Sequence, residues 1–170
     1  MYTTFIVNFV GTATPTTIKK LASTTHDNGG KWLLSKVNFI EHQVAAVIKI
    51  ELPSENEDTV KDAFLNTPDL IVQFSQASDL SYETDTIHQI RLDSNDRAGI
   101  VNEISHVLDG QGVSILDMDC QRVFIAGGGG VSSSLFSSTM ALKITKESNI
   151  NDIINELESL SEDTRVVLED

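Results

Sequence analysis

Apolar and polar residues alternate, then recur at helical spacing, then alternate again, and the chain passes through this cycle twice. In the first half "TTFIVNFV" (3–10) alternates as a strand, and Ile18, Leu21 and Ala22 mark the apolar stripe of a helix. "NGG" at 28–30 stops that helix. "KWLLSKVNFI" (31–40) and "QVAAVIKIEL" (43–52) follow as strands that meet near His42. Ser54 and Glu57 have the spacing of a capping box, ahead of a helix carrying Val60, Ala63 and Phe64. "DLIVQF" (69–74) closes the unit as a strand.

The second half repeats the order. "TIHQIRL" (86–92) is rich in β-branched residues and alternates. Ile100, Val101, Ile104, Val107 and Leu108 then recur at helical spacing until Gly110 and Gly112. "VSILDMDCQRVFIA" reads as a long strand, and after the tract "GGGGVSSS" comes "LFSSTMALKIT". In that strand Phe136, Ser138, Met140, Leu142 and Ile144 share one face. Ile150, Ile153, Ile154, Leu157 and Leu160 form a second amphipathic helix, and "TRVVLE" a last strand.

Each half is βαββαβ. An offset of 82 sets Gly30 on Gly112 and Ile18 on Ile100; beyond the glycine tract, 94 sets Lys49 on Lys143 and Val72 on Val166, with the helix better matched at 93. The expected fold class is α+β: two ferredoxin-like domains, each an antiparallel four-stranded sheet with two helices on one face. They are placed at residues 1–78 and 86–170, with a linker at 79–85 inside the polar stretch "QASDLSYETD". Domains so small expose sheet edges and an open face, which favours pairing into a homodimer.

Composition narrows the function. Of 170 residues, 25 are acidic and 12 basic, a net charge of −13. Residues 1–79 hold 9 acidic and 6 basic side chains, and the remainder 16 and 6, so the second half is the acidic one. Proteins that grip nucleic acid alone do so through clustered Lys and Arg, and Lys19–Lys20 is the only adjacent basic pair. Direct DNA binding is therefore not expected; the acidity suits solubility or a basic protein partner. No run is apolar for the roughly 18 residues of a membrane span. One cysteine, Cys120, permits no intrachain disulfide, and together with an N-terminus that reads as a strand this points to the cytoplasm.

The turn "DSNDRAGIV" (93–101) carries the candidate chemistry. Asn95 or Asp96 can cap the following helix, and Gly99 permits a close approach where a Cβ would obstruct. Free N–H groups and the positive dipole end of a helix start favour a carboxylate. An ammonium group would find acceptors in Asp96, in Asp117 on the following strand, or in a carbonyl of a neighbouring domain. Such a turn is equally common in proteins that bind nothing there, and Arg97 suits an ion pair as well as a ligand contact.

Residues "SNDRAGIVNEISHVLDGQGVSILDMD" resemble the signature segment of ACT domains, regulatory modules that commonly bind amino acids. Asn95, Asp96, Arg97, Gly99, Ile100 and Val101 match its turn, while Ala98 stands where proline is usual. A tandem pair of this length, with a long loop in the second copy, is similar to the glycine cleavage system transcriptional repressor family. The first copy has "GTATPTTI" instead, without the Asp-Arg pair and the glycine, so the resemblance carries a ligand site to the second domain and not to the first. It implies a non-catalytic sensor of a small amino acid, glycine by the family, that acts through protein contact with a DNA-binding regulator such as a transcriptional activator. Asn95, Asp96, Arg97, Gly99 and Ile100 would line the pocket, with Asp117 a further member. Two other readings keep the same fold: a ligand-free interaction or dimerisation module, and a detached regulatory subunit of an amino-acid biosynthetic enzyme.

Other features argue for little chemistry. "AGGGGVSSS" (126–134) lacks the Gly-Lys-Ser/Thr ending of a phosphate loop and leads into a strand, which suits a flexible hairpin loop. His26, His42, His88 and His106 have no metal-ligand spacing, and no cofactor or metal is expected. Cys120 reads as a small buried hydrophobe and Trp32 as a core or interface residue.

Overall fold

The structure, a computed structural model, describes residues 1–78, 85–126 and 132–170. The linker stretch at 79–84 and the glycine tract at 127–130 lie outside the described residues. The chain divides into two compact units, Met1–Leu80 and Ser81–Asp170. Unit 1 comprises β1 (Tyr2–Thr12), α1 (Pro15–Asp27), β2 (Lys31–Ile40), β3 (Gln43–Pro53), α2 (Glu57–Leu65) and β4 (Leu70–Gln76). Unit 2 comprises β5 (Thr86–Asn95), α3 (Ile100–Gly110), β6 (Ser114–Ala126), β7 (Ser132–Ile144), α4 (Ile150–Glu158) and β8 (Arg165–Leu168). All pairings are antiparallel, in the orders β2-β3-β1-β4 and β6-β7-β5-β8. These are two ferredoxin-like units.

Each unit buries one face of its sheet beneath its helices. Phe5, Val7 and Phe9 of β1 meet Ile48, Ile50 and Leu52 of β3, closed over by Leu21, Val60 and Phe64. In unit 2, Ile90, Leu92, Phe136, Met140 and Leu142 meet Ile104, Leu108, Ile153 and Leu157. Full burial of a side chain of this size stabilises by roughly 1.5–3 kcal/mol over leaving it in water. Trp32 packs at the margin of the first core, and its indole N–H donates to Thr25 Oγ1 at 3.1 Å.

The repeat is closer than its sequence offsets convey. Burial matches Val7 with Ile90, Phe9 with Leu92, Leu21 with Ile104 and Thr25 with Leu108, an offset of 83 rather than 82. An 82-residue offset sets core Phe9 on Arg91, which faces away from the helices, and strands do not permit that one-residue slip. Both second strands carry an irregularity at the matching place, between Trp32 and Leu34 and between Ile115 and Asp117. In the third strands Ile48 matches Met140 and Ile50 matches Leu142, an offset of 92 rather than 94. Phe64 on Leu157 holds at 93, and Val72 on Val166 at 94.

Two further expectations are corrected. Ser54 does not cap α2: it opens a short 3-10 turn, Ser54–Asn56, and α2 follows from Asn56 without a side-chain cap. Cys120 is exposed on edge strand β6 rather than buried, and its thiol lies 3.3 Å from Ser138 Oγ.

Candidate functional site

In each unit the first strand runs into the first helix beside the loop that precedes the closing strand. Unit 2 fills this place with its own side chains. Asn95 ends β5, and its N–H donates to Asp163 Oδ2 at 2.6 Å. Buried Ser94 donates to the same oxygen at 3.2 Å, and Ser161 Oγ to Asp163 Oδ1 at 2.6 Å. The Ser161 hydroxyl first, then the Asn95 N–H and the Ser94 hydroxyl, lower the Asp163 pKa to about 2 from its ordinary 3.8.

Asp96 caps nothing. Both its oxygens accept from Arg122 Nε at 3.0 Å, and Oδ2 accepts from Ser134 Oγ at 2.9 Å. The carboxylate expected to face a ligand is held by β6 and β7. Arg97 Nη1 sits 2.5 Å from Glu103 Oε2 in the first turn of α3, an ionic contact without the alignment of a hydrogen bond. Its Nε and Nη2 are inaccessible and meet no acceptor.

The N-cap of α3 is Gly99, at φ +83°, with no side-chain cap. A Cβ built there meets nothing within 4 Å, so glycine is needed for its left-handed backbone and not for room. Ile100 points into the core, leaving its main chain as the part available to a ligand. The first-turn N–H groups of α3 thus remain open to an acceptor.

Asp117 is not brought to this turn. Asn95 and Val123 both pair with Leu135, and Asp117 lies six residues along β6 from Val123, roughly 20 Å at 3.3 Å per residue. Its neighbour Met118 packs against the core, so Asp117 faces away from the helices.

Unit 1, without the motif, has an opening at the matching place. A cleft of about 480 Å3 lies at the start of α1, lined among others by Thr12, Thr17, Lys20, His42, Asn66 and Asp69. Here the loop is fastened by main chain: Thr12 N–H donates to Asp69 O at 3.1 Å. Thr14 caps α1, its N–H donating to Thr17 Oγ1 at 3.3 Å, with Pro15 opening the helix. The side chains of Lys20, His42, Asn66 and Asp69 form no hydrogen bond or ion pair with another described residue. Among the described residues no group of His, Cys, Asp and Glu is arranged to hold a metal. None of the helices described is long and apolar enough to cross a membrane.

Arg122, Ser134 and Asp163, which hold the turn in shape, stand outside its signature. One signal was present: the offset of 94 that sets Val72 on Val166 also sets Asp69 on Asp163.

The chain matches no protein-family model and no curated protein sequence. A protein of unknown function from Galdieria sulphuraria is similar in structure at a TM-score of 0.80 and 14% identity, over 99% of this chain and 98% of that one. A putative glycine cleavage system transcriptional repressor is similar at a TM-score of 0.64 and 12% identity, over 99% of each chain. At these identities the likeness is one of fold, and over nearly its whole length this chain shares the tandem ferredoxin-like fold of that second protein.

Proposed function

We propose that this chain is an amino-acid-responsive regulatory protein without catalytic activity. It binds a small amino acid, with glycine the first choice, and controls transcription through contact with a DNA-binding regulator. The observation that carries this is the start of α3, where left-handed Gly99 leaves the first-turn N–H groups uncapped. A ligand carboxylate fits there, with Asn95, Asp96, Arg97 and Ile100 forming the surrounding turn. Asp117 belongs to this site only when a second copy brings it there. The likeness to a protein named for glycine-cleavage repression supports the regulatory half of the reading. The net charge of −13 suits contact with a basic regulator better than contact with DNA.

Regulation by such a protein is linkage: the ligand changes partner affinity by the ratio of its own affinities for the free and partner-bound forms. A homodimer would cover the open face of the first sheet, where Ile40 and Ile71 are 79% and 75% exposed. Calorimetric titration with glycine tests the ligand. Saturable binding that is lost in Gly99→Leu and kept in Gly99→Asn, which tolerates the same backbone, is the expected result. Absence of binding for glycine, serine and alanine would sink the proposal.

A ligand-free interaction module is favoured by one observation: Asp96 and Arg97 are both engaged by protein side chains. Under that reading amino acids leave the melting temperature unchanged while the partner is still retained.

A further inference from the structure

The open sheet faces of the two units are built on one plan and filled differently. In unit 1 one row runs across all four strands as Asn38, Ala45, Val10 and Ile71. The row at the matching place in unit 2 is Gln121, Ser137, Asp93 and Arg165. There the charges are satisfied within the unit. Asp93 accepts from Ser137 Oγ at 2.6 Å and from Arg91 Nε at 3.1 Å, and Arg165 donates to the Glu162 and Thr164 carbonyls. The row in unit 1 offers water little: Val10 and Ile71 are 50% and 75% exposed, and Val47 and Leu34 in the rows alongside are exposed as well. The fold does not require apolar residues here, since the repeat carries polar ones at the same positions. A continuous exposed apolar patch marks a surface for contact.

The face of unit 1 is shaped and charged to meet itself. A dent of about 260 Å3 lies over Ala45, lined among others by Asn8, Lys36, Asn38 and Val47. Val10 and Ile71 continue the same row on its far side. Ala45 and Val10 belong to the two central strands, β3 and β1. A two-fold axis parallel to the strands and midway between these two sets Ala45 against Val10 of a second copy, and Asn38 against its Ile71. The same operation sets Lys36 over Gln73 and Lys49 over Ile6, so neither lysine meets another charge. At −13 overall, two copies approach most readily where carboxylates are fewest. Glu51 is the one carboxylate on the four strands of unit 1, and Lys31 Nζ lies 3.4 Å from it. The strands of unit 2 carry Asp93, Asp117 and Asp119. With β1 and β3 each 11 residues long, four strands give a footprint of about 700 Å2 per copy, close to the roughly 800 Å2 per partner of a stable interface.

We propose that unit 1 is the dimerisation surface of this chain: its open sheet face packs on the same face of a second copy, with Val10 and Ile71 of each seated over Ala45 and Asn38 of the other. The interface specifies the homodimer of the proposed function and rests on that part of it alone, since it uses no group of the α3 turn.

The test is sedimentation equilibrium of the full chain and three variants, with melting temperatures taken in parallel. The unaltered chain is expected to show a monomer–dimer equilibrium. Ile71→Arg introduces the residue that stands at this place in unit 2. It is expected to weaken dimerisation by about 100-fold or more, because it buries a charge without a partner, and to leave the melting temperature of the dilute monomer unchanged. Ala45→Leu fills the dent without adding charge and is expected to weaken dimerisation by about tenfold. Val123→Arg, on the open face of unit 2, is expected to leave the dimer intact. A chain that stays monomeric into the millimolar range would overturn the interface. So would a dimer indifferent to both Ile71→Arg and Ala45→Leu, or one broken by Val123→Arg. Glycine titration of the same samples keeps the two readings apart: a dimer that binds no glycine would sink the α3 site alone, and a monomer that binds glycine would sink the interface alone.

Discussion

Asp69 and Asp163 occupy one place in the two repeats and do one structural job with different atoms. In unit 1 the main-chain carbonyl of Asp69 receives the Thr12 N–H at 3.1 Å. In unit 2 the carboxylate of Asp163 receives the Asn95 N–H at 2.6 Å. A carbonyl reaches its partner only if the two backbones nearly touch, and Gly11 permits this: a Cβ there lies 2.0 Å from Asp69 O. A carboxylate reaches further, so the matching residue in unit 2 carries a side chain, and the Ser94 hydroxyl joins the clasp. The consequence is functional. Unit 1 leaves its carboxylate in an open cleft, whereas unit 2 uses its carboxylate to hold the turn that resembles a binding motif.

The comparison breaks most sharply at Gly11. In Gly11→Ala the new methyl meets main-chain oxygen, which cannot swing aside, and the strand must part from β4. The expected cost is about 3 kcal/mol or more, the upper range for overpacking. Urea unfolding followed by the fluorescence of Trp32, the single tryptophan, reports unit 1 directly. A cost below 1 kcal/mol would mean that the close approach at Gly11 is not a constraint.

Gly99 sets a smaller test of the same kind. It has room for a side chain and needs only its left-handed backbone, so Gly99→Ala is expected to cost about 1–2 kcal/mol and Gly99→Asn less. Equal costs for Ala and Asn would show that space, not backbone, is limiting there. Unfolding by circular dichroism is the suitable measurement.

These two glycines show where the sequence was legible. Element order, both sheets and most of the core follow from alternation and helical spacing, because burial of one face per element imposes those periods. Offsets went wrong by one or two residues because the apolar pattern tolerates small shifts until strand faces are compared, as Phe9 with Leu92 shows. Asp96 departs from the expected cap because a helix-cap signature specifies local spacing alone, and its partners, Arg122 and Ser134, arrive from strands 26 and 38 residues away. The unit 1 cleft was invisible for the same reason. Thr12, Lys20, His42 and Asp69 carry no motif and meet only when the turn, the β2–β3 hairpin and the α2–β4 loop converge.

The smallest effect separates the two aspartates themselves. At neutral pH Asp69→Asn is expected to change stability by within about 0.5 kcal/mol, since the clasp uses its carbonyl. Asp163 behaves differently because its carboxylate is the clasp. Its pKa is depressed in the folded chain, so its contribution is fully present above the ordinary value of 3.8. It is lost as pH falls towards about 2, where the folded form also takes up the proton. Asp163→Asn should therefore lower stability near pH 6 and flatten the dependence between pH 4 and 2, relative to the unaltered chain. Unfolding curves at pH 6, 4 and 2.5 would check this. Parallel slopes for the two proteins through the acid range would show that the Ser161, Asn95 and Ser94 donors do not hold the Asp163 carboxylate in solution as they do in the structure.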